Sequence, residues 1–242
     1  MRIKTFVFLI AWASTAWAQG VMDVHSHIIT PEFLSALEQE GRLMDEGFPL
    51  PKYAAGDHLK WMDEAGIETS VLTLAAPQPT SADVVRATNE AAAQLKREHP
   101  GRFLLCAALP LPDVDAAIGE AIYALDTLKA DGIKLATNVA GQYLGCPELD
   151  TLFSVLNERD AVVILHPHRP NPVNNQVMRQ TPLAMQEYLS ETTRAVSNMI
   201  SRNVLARYPR VKVVVPRCGA YQLGRHKEKD GLGNKLIENM LD

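Results

Sequence analysis

The feature that most constrains this chain is a strict alternation of short apolar runs with helical stretches. The runs are Val21–His27, Thr69–Ala75, Phe103–Ala108, Gly132–Ala136, Ala161–His166 and Val211–Val215. Ala161–His166, AVVILH, is apolar almost throughout, as a parallel strand covered on both faces should be. Thr30 and Pro31 open the first helix, Thr30 as N-cap and Pro31 at a position that needs no N–H. Asp57 is expected to cap a second helix, Asp57–Ala65. Thr80 with Asp83 resembles a capping box for a third, running to about Glu98. Asp113 caps a fourth, whose Ala117, Ile118, Ala121, Ile122 and Leu125 recur at helical spacing. Pro147–Asn157 and Pro182–Ala206 complete the set, and Gly41–Gly56, Ala76–Thr80 and Pro167–Gln180 read as loops. Alternation of this kind predicts a parallel sheet with helices outside it. No GxGxxG follows the first strand, which disfavours an open dinucleotide-binding sheet. The expected fold is therefore α/β, a TIM-barrel-like (β/α) arrangement, and 242 residues suffice for one large core.

The first strand reads VMDVHSH. Side chains two apart in a strand share a face, so Asp23, His25 and His27 are expected together. Two imidazoles at that spacing suit one zinc or other first-row ion. The pair stands at the end of the strand, which in a (β/α) barrel is the active-site mouth. His166 ends the fifth run and is followed at once by Pro167, which cannot continue a ladder. It is expected at the same level as a third nitrogen ligand, with His168 two residues on as a substitute. Asp23 is expected to orient the site from beneath, and Lys134 to line the barrel.

The formal net charge is −4, which suggests neither a nucleic acid nor an anionic membrane as partner. Met1–Lys4 is basic, Thr5–Ala13 apolar, and Ala16-Trp17-Ala18 has the form of a cleavage site. The reading is a signal peptide, residues 1–18, and export to a bacterial periplasm. Cys106, Cys146 and Cys218 show no CxxC spacing and suggest neither a disulfide framework nor a zinc knuckle.

The segments DVHSHI, ILHPHRP, SETTRAVSNMI and VKVVVPRCGAY resemble the amidohydrolase-related family, within it the aminocarboxymuconate-semialdehyde decarboxylase branch. The similarity covers about Val21–Tyr221. It implies a barrel (residues 19–221) holding one divalent metal, usually zinc, on two histidines of the first strand, one of the fifth and an aspartate after the eighth. The matching positions are His25, His27 and His166. It also implies removal of carboxylate from an unsaturated or aromatic acid, or hydrolysis of a C–O or C–N bond. The metal would polarise a substrate oxygen or lower the pKa of its water. Arg169 and His168 are expected to meet the acidic substrate.

Two departures bear on this. Arg217 stands where the family usually carries a histidine for proton transfer, and a guanidinium cannot act as a base. After Val215 only 27 residues follow, whereas one more strand–helix unit needs about 30. The tail, 222–242, has no apolar run, and Asp230 follows no strand. These features predict about six of eight strand–helix units, apolar sheet edges that favour a homo-oligomer, and low activity. A non-catalytic remnant is the reading outside enzymes.

Overall fold

The computed structural model describes residues 20–41, 44–45, 48–75, 81–174, 176 and 182–216. In chain order the elements are β1 (Val21–Ile28), α1 (Pro31–Gln39), β2 (Met44–Asp45), β3 (Phe48–Pro49), α2 (Ala55–Ala65), β4 (Ile67–Leu74), α3 (Ala82–Glu98), β5 (Phe103–Ala107) and α4 (Val114–Asp126). There follow β6 (Gly132–Ala136), β7 (Asn138–Val139), β8 (Gln142–Tyr143), α5 (Asp150–Glu158), β9 (Val162–His166), α6 (Glu187–Ser201), α7 (Val204–Arg207) and β10 (Lys212–Val214). Six strands form a parallel sheet in the order β1-β4-β5-β6-β9-β10, the expected alternation. The leader at 1–18, Arg217, Cys218 and the tail at 222–242 lie outside the described residues.

The sheet curls. His27 of β1 and His166 of β9 stand four strand spacings apart, about 19 Å across a flat sheet, yet their Nε2 atoms are 3.4 Å apart. Only a sheet rolled toward a barrel closes that gap. Strand alternation then sorts the side chains. Ile133 and Leu135 of β6 and Val163 and Leu165 of β9 are buried in one cluster with Ala121, Phe153, Leu156 and Val196 of the helices. Val71, Cys106 and Ile164 form a separate small cluster on the other side. Lys134, between Ile133 and Leu135, faces that inner side with His166, which follows Leu165. Each buried Leu, Ile or Val contributes about 1.5–3 kcal/mol, so the outer cluster is the main source of stability.

Thr30 and Asp113 cap their helices, accepting from Phe33 N at 3.2 Å and Ala116 N at 3.0 Å. Asp57 does not cap α2. That helix begins at Ala55 after an extended Ala54, and Asp57 lies in its first turn, where a carboxylate still opposes the helix dipole. Helix α3 begins after Ser81, and Thr80 lies outside the described residues. The Pro147 stretch starts as a 3₁₀ turn, Pro147–Leu149, before α5. The stretch 182–206 is interrupted: Asn203 adopts φ 54°, in the left-handed region, and separates α6 from α7. Periodicity carries no sign of such a single-residue break. No helix among the described residues is long and apolar enough to cross a membrane.

Candidate metal centre

β1 delivers two imidazoles and β9 the third. The ring centroids of His25, His27 and His166 form a nearly equilateral triangle with sides of 5.1, 5.0 and 5.0 Å. One ring nitrogen from each lies within 4.8 Å of the other two.

The hydrogen bonds around the rings decide where their lone pairs point. His166 Nδ1 lies 2.8 Å from the Pro167 carbonyl, which can only accept. His27 Nδ1 lies 2.9 Å from Thr73 Oγ1, and that hydroxyl spends its hydrogen on the Ser26 carbonyl at 2.9 Å. Both Nδ1 atoms are therefore donors, and both Nε2 atoms carry lone pairs. Those two lone pairs face each other across 3.4 Å. Burial pushes the His27 pKa down to about 3, helped by the nearby Lys134 charge and by His25. Burial, then Lys134, His27 and His25, holds His166 well below its ordinary value. Two neutral rings with converging lone pairs repel unless a cation lies between them. A tetrahedral ion with metal–nitrogen bonds of 2.0–2.1 Å sets its nitrogens about 3.3–3.4 Å apart. The donor set fits one divalent ion.

Asp23 acts on the first of the three residues through its backbone. β1 has a register shift between Asp23 and Ser26, where strand alternation is broken. The Asp23 carboxylate accepts from the His25 main-chain N–H at 3.0 Å, so it braces the backbone of the bulge. The groups that orient the His27 and His166 rings are Thr73 and the Pro167 carbonyl. Their only trace in the sequence is a threonine inside the apolar run of β4 and a proline after His166.

At the C-terminal ends of β5 and β6, where Ala136 pairs with His166, lies a cavity of about 160 Å³. Leu109, Leu111, Leu135 and Val139 give it apolar walls, and Lys134 and His168 reach it. His168 thus lies beside the cavity and outside the cluster of three rings. The Arg169 side chain is exposed. The wall is built by groups the sequence did not advertise. Asn89 of α3 brackets Ala108, donating to its carbonyl at 3.0 Å and accepting its N–H at 2.9 Å, which sets the chain entering Leu109. The β7–β8 hairpin supplies Val139. Its turn has φ 50° at Ala140 and 87° at Gly141, as a type I′ turn requires. A Cβ on Gly141 would come 2.7 Å from the Asn171 carbonyl.

The hairpin is held by Glu191, fully buried on α6. Its carboxylate accepts from Asn138 Nδ2, Tyr143 Oη and Arg194 Nη1, each at 2.7 Å. Asn138 Nδ2 also donates to the Arg169 carbonyl at 3.1 Å, and His168 N donates to Thr137 Oγ1 at 3.0 Å. The loop after His166 is thereby fixed to β6 and the hairpin. Glu191→Ala should destabilise the protein by about 2–4 kcal/mol, because two of the three donors lose their acceptor away from water. A lowered urea midpoint at unchanged slope checks this.

The profile of the family described as Amidohydrolase matches residues 22–232. The chain is 36% identical over 214 residues to the decarboxylase yanB of Aspergillus niger, covering 82% of this chain and 58% of that protein. It is 30% identical over 209 residues to a 6-methylsalicylic acid decarboxylase of Penicillium expansum, covering 82% of this chain and 64% of the relative. The chain thus spans about three fifths of the length of these curated relatives. A solved amidohydrolase II structure superposes with a TM-score of 0.81 at 27% identity, covering 90% of this chain and 74% of that one. A dihydroxybenzoic acid decarboxylase from Polaromonas, solved with bound manganese and the inhibitor 2-nitroresorcinol, superposes with a TM-score of 0.64 at 20% identity, covering 84% and 66%.

Proposed function

The chain belongs to the amidohydrolase family, and from that membership we propose that it is a metal-dependent carboxy-lyase acting on a small aromatic carboxylic acid. The observation that carries the reading is the pair of imidazole Nε2 lone pairs converging at 3.4 Å beside an apolar cavity. His25, His27 and His166 hold one divalent ion. Zinc is the ion favoured here, because three imidazoles at this spacing suit a tetrahedral borderline acid, although the Polaromonas relative holds manganese. The ion, when bound, supplies Lewis-acid polarisation of a substrate oxygen.

The chain's own groups do the rest. Thr73 and the Pro167 carbonyl keep the His27 and His166 lone pairs aimed at the ion. Leu109, Leu111 and Val139 take the ring of the acid and exclude water, which strengthens every charge interaction inside. His168 lies beside the same cavity and is assigned to substrate contact. The decarboxylase relatives in Aspergillus and Penicillium support loss of carbon dioxide as the reaction. The leader-like segment at 1–18 supports export.

The test uses zinc-loaded protein with 6-methylsalicylate and 2,6-dihydroxybenzoate. Carbon dioxide released in equal amount with the corresponding phenol is the expected result. Cleavage of aryl esters or lactones without carbon dioxide release would favour a hydrolase on the same scaffold. Neither activity, in folded and metal-loaded protein, would favour a non-catalytic remnant.

A further inference from the structure

Lys134 is buried in the middle of β6, at 2% exposure. Its Nζ crosses beneath β5 to donate to the Leu74 carbonyl of β4 at 2.6 Å. That placement puts the ammonium on the inner face of the sheet, the face that also carries His166 two residues along the paired strand. Lys134 is also one of the residues that line the cavity, whose other walls are largely apolar. Three neutral imidazoles leave a bound divalent ion its whole charge, and Lys134 adds one more. A pocket with that charge balance and greasy walls favours a compact anion with an apolar body. In a water-poor site the attraction is stronger than at a surface, and a charge-assisted hydrogen bond adds direction.

We propose that Lys134 is the specificity-determining cation of the site: its ammonium recognises the carboxylate of an aromatic acid seated in the Leu109–Leu111–Val139 cavity and selects the ionised acid over uncharged analogues. The proposal rests on the aromatic-acid reading above. It assigns Lys134 to binding the acid before reaction, so its removal acts on KM far more than on kcat.

Calorimetric titration of the zinc-loaded full chain with 2,6-dihydroxybenzoate and with its uncharged amide tests it. The wild type should prefer the acid by roughly 10- to 100-fold, the range of a hydrogen bond to a charged group. In Lys134→Met that preference should fall by at least about tenfold, to what the bound ion alone supplies, with amide affinity and zinc content unchanged. A folded Lys134→Met protein that prefers the acid as strongly as the wild type does overturns the proposal and leaves the carboxy-lyase reading standing. Equal loss of acid and amide binding also overturns it, since that is what a purely structural lysine would do. Failure of the wild type to bind the acid overturns both readings. Should Lys134→Met not fold, a crystal structure of the zinc-loaded wild type with 2,6-dihydroxybenzoate decides. A carboxylate oxygen within about 3.2 Å of Nζ supports the proposal, and a carboxylate elsewhere overturns it.

Discussion

Replacing His166 by alanine should strip the protein of its metal. Zinc content after dialysis is expected to fall from about one ion per chain to near none, while the far-ultraviolet circular dichroism stays that of the parent. His166 closes the triangle from the far side of the curled sheet, and its Nε2 is held toward His27 by the bond from Nδ1 to the Pro167 carbonyl. Losing a group that merely orients a ligand costs roughly 10- to 100-fold in metal affinity. Losing the ligand itself should cost more than that. Two imidazoles of one strand would remain, and they lack the opposing lone pair that makes the site. The space left behind opens on the inner side of the sheet, away from the outer cluster of Leu165 and Val163, so the fold should persist. Retention of stoichiometric zinc by His166→Ala would sink the metal assignment.

Acid lability of the metal-free protein is the second large effect expected. An unfolded histidine titrates near 6.5. In the fold His27 titrates at about 3 and His166 well below its ordinary value, both chiefly through burial. Below pH 6.5 the unfolded chain therefore binds protons that the folded chain refuses, and stability falls as pH falls. The loss should be small above pH 7 and accumulate between 6.5 and the folded values. With two such groups it should reach roughly 3 kcal/mol by pH 5.5 relative to pH 7.5. Urea denaturation of metal-free protein at a series of pH values measures it, and His27→Gln should remove about half of the slope. Zinc should oppose the effect, because a ligand that binds the neutral rings competes with protons. A flat stability profile from pH 7.5 to 5.5 would show that the rings are solvated rather than buried.

Much of this protein was legible one segment at a time. The apolar runs located all six sheet strands to within two residues, because short apolar runs between turn residues are a local signature of sheet strands. Thr30 and Asp113 announced their helix starts through side chains that bond to N–H groups three residues on. The spacing of His25 and His27, and the abrupt Pro167 after His166, marked strand ends at which chemistry could gather. Asp57 misled because a carboxylate in the first turn and one at the cap look alike when only the neighbours in sequence are known. The break at Asn203 turns on one left-handed residue and the β7–β8 hairpin on two, Ala140 and Gly141, and neither disturbs a periodic pattern.

What the residues alone determined, then, was which elements form and which imidazoles stand at their ends. Only the tertiary structure decided that β1 and β9, four strands apart, bring those rings within one ion's reach, that Thr73 and Pro167 aim their lone pairs, and that Lys134 is buried on the same inner face of the sheet. The reason is one of range. Periodicity and capping are set by residues within a few positions of each other. The curl of a sheet arises from the packing of all its strands and helices at once, and no stretch of sequence carries it alone.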